Sequence, residues 1–178
     1  MPIRFQPAIG QILICDFPKD FEKPEMVKRR PVVCISPKDR NRFGYATLVP
    51  LSTTEPMVKR SYNVEINLCA PISPAYPSLK CWAKCDMLYT LSYKRLSLPL
   101  LCKDGGDGKR EYNYLTLPAG TMCEIFTGVL AGYGVTGSVK VENGTFQVFD
   151  FRDVLCQFQK WHSSVRRTRL KSFPMEGL

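Results

Sequence analysis

Histidine is nearly absent from this chain. The 178 residues contain one, His162, and none in the first 161. A catalytic pair of histidines is therefore excluded, and any acid–base work falls to Arg, Lys, Asp or hydroxyl groups. The same scarcity weighs against a zinc site. Cys81 and Cys85 are the closest cysteines, spaced C-x3-C, and no second pair or histidine stands beside them in sequence. Long apolar runs are also missing, since none approaches the roughly 18 residues a membrane-crossing helix needs. The opening residues, Met1 to Gln6, carry no signal-peptide pattern. No membrane partner is expected, and the expected compartment is the cytoplasm. The eight cysteines fit that reducing setting, because Cys15, Cys34 and Cys123 lie in apolar runs where a free thiol acts as a small hydrophobe. Acidic residues are in deficit: 16 against 25 Lys and Arg, a net charge of +9, which favours a polyanionic partner.

An apolar fraction of 44% is enough to build a core in a chain this long. Ile9–Phe17 reads as a first strand. Pro31–Ser36 is a short β-branched run, a buried strand with Pro31 suited to its first position. Tyr45–Thr53 is a third strand, in which Pro50 signals an edge or a bulge. Tyr62–Leu68 alternates like a half-buried strand. Ala70–Ser78, with three prolines, is loop, and Lys80–Thr90 returns to strand. Lys103–Lys109 is a glycine-rich turn. Met122, Ile125, Phe126, Val129 and Leu130 form one apolar helical stripe. Pro118 suits its first turn, and Gly132 and Gly134 its end. Val139–Phe149 is a hairpin about Asn143-Gly144, a pair that favours the type I′ turn. Asp150–Ser172 is an amphipathic helix with Phe151, Val154, Leu155, Phe158, Trp161 and Val165 on one face and a basic C-terminal part.

Two stretches carry chemistry. Pro24–Pro31 puts Lys28, Arg29 and Arg30 beside Glu25, just before a strand. Cys81–Asp86 reads as strand and places Lys84 and Asp86 two apart, pointing to the same face. A cation and a carboxylate on one face, with an arginine from a neighbouring loop, can bind a phosphodiester and move a proton. Tyr45, Tyr62 and Trp82 are candidate base-stacking platforms.

These segments, in this order, resemble the MazF/PemK family of toxins from bacterial type II toxin–antitoxin systems. Gly10–Phe17 resembles its opening strand. Glu25 followed by Arg30-Pro31 and Val32–Ser36 resembles its second strand and the loop before it. Leu48–Thr53 resembles its third strand, and Ala83–Thr90 a later strand bearing a basic residue and an acid or amide. The resemblance covers roughly residues 8–133. It implies a mainly β protein with helices (α+β): a small, bent, SH3-like antiparallel barrel with a C-terminal helix. Residues 1–134 would form that domain, and 135–178 a hairpin–helix extension. The extension has three readings: a cover packed on the barrel, a holder of RNA, or a docking site through Phe158 and Trp161.

The resemblance further implies a homodimer in the bacterial cytoplasm, inhibited by a cognate antitoxin. It would cut single-stranded RNA as an mRNA interferase, without metal or cofactor, through the RNA's own 2′-hydroxyl. The products are a 2′,3′-cyclic phosphate and a 5′-hydroxyl. Arg30 stands at the family's catalytic arginine and Ser52 at its Thr or Ser. Lys84 and Asp86 stand at positions that act as acid, base or RNA ligands in some members, with lysine where a relative has arginine. Glu25, Lys28, Arg29, Thr53 and Trp82 complete a substrate-binding set. The alternatives are a toxin of the same fold that works by protein contact, as gyrase poisons do, and a member that only binds RNA or a partner.

Overall fold

The structure, a computed structural model, describes residues 1–18, 21–22, 25–39, 41, 43–102, 110–135 and 137–149. The expected helix over 150–172 and the turn over 103–109 lie outside these residues. Strands β1 (Ile12–Asp16), β2 (Arg29–Cys34), β3 (Tyr45–Ser52), β4 (Asn63–Asn67), β5 (Lys80–Lys84), β6 (Tyr89–Ser92) and β7 (Leu96–Ser97) make one sheet. Its order is β4-β5-β3-β2-β1-β7, with β6 also on β3. Every pairing in it is antiparallel. Two small hairpins follow, β8 (Leu100–Cys102) with β9 (Glu111–Tyr112), and β10 (Ser138–Glu142) with β11 (Thr145–Phe149). The single α-helix among the described residues, α1 (Ala119–Gly132), lies between them in sequence. The product is the bent, open, barrel-like sheet with one helix that the sequence leads one to expect.

Pro50 explains the bend. On one side β3 stays with β2, through Val49↔Val33 and Pro50↔Val32. On the other side it pairs β6 over Tyr45–Leu48 and then β5 over Leu51–Ser52. Pro50 sits at the change of partner, where a missing amide donor costs no ladder bond. Pro31 solves the same problem differently. It is the third residue of β2 rather than the first, paired with Ile14 of β1. The β2–β3 ladder begins only at Val32, so Pro31 needs no donor on that side.

Alternation sorts the strand residues into two cores. Ile12, Ile14, Val33, Val49, Leu51, Ile66, Cys81 and Ala83 face α1 and meet its Met122 and Ile125. Leu13, Cys15, Val32, Cys34, Ala46 and Leu48 face the other way, where Phe17, Met26, Tyr93 and Leu96 cover them. Met122 and Ile125 are almost wholly buried, worth about 1.5–3 kcal/mol each by transfer. The helix ends as its glycines suggest: Gly134 takes φ +73°, and the Gly134 and Val135 amides donate to the Ala131 and Leu130 carbonyls. Asn143 and Gly144, at φ +50° and +73°, turn the β10–β11 hairpin, which lies on α1. Phe146 packs at a tilt against Phe126, ring centres 4.8 Å apart, and the Val139 amide donates to Thr127 Oγ1 at 2.9 Å.

Lys80–Thr90 is not one strand. It breaks after Lys84 into a turn closed by the Met87 amide on the Lys84 carbonyl, 3.0 Å. Cys85 is buried beneath α1 and Asp86 occupies the turn, a position aspartate tolerates well. The expectation that Lys84 and Asp86 share a strand face therefore fails. Among the described residues no helix is long and apolar enough to cross a membrane.

Candidate active site

Directly opposed residues of an antiparallel pair project to the same face. Ser52 opposes Trp82, Trp82 opposes Glu65, and Lys84 opposes Asn63. Carrying the β2–β3 register two residues past Val32↔Pro50 sets Arg30 opposite Ser52. Arg30, Ser52, Trp82 and Lys84 thus lie on one face of the sheet, beside the second apolar core. The β2–β3 ladder stops at Val32↔Pro50, two positions short of Arg30 and Ser52. Three of the four expected catalytic residues come to this face from three strands. Asp86 does not come to this face by the register: it is exposed in the turn after β5, with its backbone against the end of α1.

The loop before β2 is held from within. The Glu25 carboxylate accepts from the Glu22 amide at 2.8 Å, and the Glu25 amide donates to the Glu22 carbonyl at 2.7 Å. Glu25 therefore shapes the loop. Lys28 has φ +74°, a left-handed conformation costing a lysine roughly 1–2 kcal/mol. Arg30 is half-buried, with Nε donating to the Val27 carbonyl at 3.2 Å. Arg29 projects to the opposite face, and its Nη2 donates to Ser97 Oγ at 3.0 Å.

Ser52 is buried, and its hydroxyl is turned onto the chain ahead: it accepts from the Thr54 amide at 3.1 Å and donates to the Thr54 carbonyl at 3.3 Å. The second bond is long and readily exchanged for a phosphate oxygen. Thr53 is exposed in the bend that follows β3. Trp82 is not an open stacking platform. It is 6% exposed, and the Lys80 ammonium lies 5.3 Å from its ring centre while pairing with Glu65 at 3.0 Å. That cover leaves little ring face for a base. Tyr45 is exposed and Tyr62 half-buried.

Tyr76 carries no motif in the sequence, yet it joins this region. Its hydroxyl donates to the Arg29 carbonyl at 2.8 Å and so ties the β4–β5 loop to the start of β2. Burial pushes this phenol's pKa up, opposed by the Arg29 and Arg30 guanidiniums, which both lie within electrostatic reach. Only its place in a proline-rich loop marked it in sequence. Burial also pushes up the thiols of Cys15 and Cys85, to about 12, and of Cys81, to about 11. Such thiols stay protonated and are poor nucleophiles or metal ligands. Among the described residues no three His, Cys, Asp or Glu side chains are grouped to hold a metal ion.

Comparison with known proteins places the chain in a family. The model of the PemK-like, MazF-like toxins of type II toxin–antitoxin systems matches residues 8–103. The chain belongs to that family. The crystal structure of MazF from Deinococcus radiodurans is similar at 16% identity and a TM-score of 0.50, over 73% of this chain and 98% of that one. An endoribonuclease from a mycobacterial species, solved with its cognate antitoxin, is 20% identical over 72% of this chain and 96% of its own, with a TM-score of 0.48. Toxin MazF-mt6 of Mycobacterium tuberculosis is 14% identical over 70% of this chain and 96% of its own, with a TM-score of 0.45. Among curated proteins nothing matches.

Proposed function

We propose that this chain is a toxin that cuts single-stranded RNA at short sequences without a metal ion. The observation that carries the reading is the register: it brings Arg30, Ser52 and Lys84 to one face of the sheet, just past the end of the β2–β3 ladder. Family membership supports the toxin role, and the net charge of +9 suits a polyanionic substrate.

In this reading the RNA's 2′-oxygen attacks the adjacent phosphorus, and Asp86 takes its proton. Arg30 sets its guanidinium against the two non-bridging oxygens, where charge builds up. The Ser52 hydroxyl leaves the Thr54 carbonyl for one of the same oxygens. The bond from phosphorus to the 5′-oxygen then breaks, and the Lys84 ammonium gives that oxygen a proton. The products are a 2′,3′-cyclic phosphate and a 5′-hydroxyl. Lys28 and Arg29 add attraction for the backbone. A cognate antitoxin, a homodimeric state and a bacterial cytoplasmic setting belong to the same proposal. So does the division at residue 135, with the β10–β11 hairpin acting as a cover for α1, a role its packing supports.

The test is incubation of a long mixed-sequence RNA with the protein in excess EDTA, with both product ends mapped. Cuts at one short motif that leave cyclic phosphates are expected. Folded protein that leaves the RNA intact would refute the reading and favour a toxin that acts by contact alone.

A further inference from the structure

Two cavities open on the face of β2 opposite Arg30, and Arg29 lines both. The first, about 450 Å³, is walled by Ile14, Pro74, Ala75, Tyr76, Leu100 and Leu101. That size lies within the range of small-molecule sites, and its lining is mainly apolar with one aromatic ring. The second, about 220 Å³, is lined by Arg29, Lys94, Arg95, Ser97 and Asp16. Three cations against one carboxylate leave it positive. The Arg29 guanidinium between them is already held by Ser97 Oγ, which itself donates to the Ile14 carbonyl at 3.5 Å. Arg29 is thus oriented before any ligand arrives, and less is lost on binding.

An apolar slot with a tyrosine edge, joined through a fixed guanidinium to a cationic pocket, has the polarity of one nucleotide. We propose that these cavities form a nucleotide subsite distinct from the reaction centre. The base lies in the slot beside Tyr76, and its phosphate lies among Arg29, Lys94 and Arg95. Asp16 repels a bare anion and accepts a hydrogen bond from a ribose hydroxyl, which favours a nucleotide over inorganic phosphate. The inference rests on the RNA-cutting reading and extends it. Arg29 and Arg30 project to opposite faces, and both lie within electrostatic reach of the Tyr76 hydroxyl. An RNA strand cut at Arg30 therefore passes round the start of β2 and places a neighbouring nucleotide here. The slot, rather than the reaction centre, then selects which base stands beside the cut.

The experiment titrates the full chain with each of the four 3′-nucleoside monophosphates and, separately, with inorganic phosphate, following backbone amide shifts by NMR. At least one nucleotide should shift residues 73–76 and 94–97 together, and phosphate alone only 94–97. Arg95→Ala should weaken nucleotide binding about tenfold, as loss of a charge-assisted hydrogen bond does. Ala75→Trp and Leu101→Trp fill the slot from opposite walls. In both, the nucleotide should bind no more tightly than phosphate. If no nucleotide moves the two segments together, or both tryptophan variants bind as the parent does, the subsite is refuted. RNA cleavage is assayed on the same preparations. Cleavage without nucleotide binding refutes the subsite alone, and nucleotide binding without cleavage refutes the enzyme alone.

Discussion

Three glycines of α1 make a graded test of how this helix seats on the sheet. A Cβ added at Gly120 meets nothing within 4 Å. Gly120→Ala should therefore gain the helix-propensity difference, about 1 kcal/mol. At Gly128 the new Cβ would stand 2.8 Å from Val64 Cγ2 and 3.0 Å from Cys85 Sγ. Val64 is half-buried and can turn away, whereas Cys85 is fully buried. Overpacking costs about 1–3 kcal/mol, and the propensity gain offsets about 1, so Gly128→Ala should lose on the order of 1 kcal/mol. At Gly132 the obstacle is backbone: Asp86 Cα at 3.0 Å, the Asp86 amide nitrogen at 3.2 Å and the Cys85 carbonyl oxygen at 3.2 Å. Nothing there can rotate aside, so Gly132→Ala should lose about 2 kcal/mol or more. It should also displace the Lys84–Met87 turn and slow RNA cleavage beyond what its stability explains. Urea unfolding midpoints should run Gly120→Ala, parent, Gly128→Ala, Gly132→Ala from highest to lowest, at a constant denaturant slope. Adding Val64→Ala to Gly128→Ala should recover part of the loss. If Gly128→Ala and Gly132→Ala were as stable as Gly120→Ala, α1 would not sit this close to β5.

The buried thiols set the alkaline limit. Cys15 and Cys85 titrate near 9.0 when unfolded and about 12 when folded, so the folded state holds more protons between those values. Stability should be undiminished by these groups below pH 9 and should fall as pH rises above it, by about 1.4 kcal/mol per pH unit for each thiol; urea titrations at pH 8 and 10 that agree would refute this. Iodoacetamide at pH 8 should label exposed Cys69 and Cys102 and spare Cys15, Cys81 and Cys85 until the chain unfolds, which mass spectrometry reads directly. Phe146→Ala removes the Phe126 contact and should cost about 1 kcal/mol of local stability. Hydrogen exchange should then quicken at the Val139 amide while β1–β3 stay protected; loss of protection throughout the sheet would show the hairpin to be part of the main cooperative unit.

Most of the fold was legible because β-branched runs and glycine turns act locally. Val32-Val33 and Asn143-Gly144 declare a strand and a hairpin without reference to anything distant. What sequence could not give was pairing. Pro50 looks like a defect until β3 is seen to exchange β6 for β5 beside it. Pro31 fits inside β2 because β3 does not reach it. Lys84-Cys85-Asp86 alternates as a strand would. The turn there follows from Cys85 burying itself against Gly128 and from Asp86 abutting Gly132, contacts some 45 residues away in the chain. The site was legible in part for the same reason. Arg30 and Ser52 could be named from the motifs around them, and their common face came from the sheet register. Trp82 looked available for stacking until Lys80 and Glu65, from two adjacent strands, closed over it. Tyr76 was missed because its partner, the Arg29 carbonyl, is a backbone atom 47 residues away that carries no sequence signal.

Arg30 and Arg29, adjacent in sequence, face opposite sides of β2, and the proposed cleavage gives them different work. Single-turnover cleavage of one mapped RNA site, with enzyme raised to saturation, separates them. Arg30→Ala should lower the saturated rate about 10²–10³-fold, as loss of one donor to the charged transition state does. Arg29→Ala should mainly raise the enzyme concentration needed for half saturation and flatten its salt dependence. An Arg30→Ala protein that cuts at the parent rate once saturated would contradict the account.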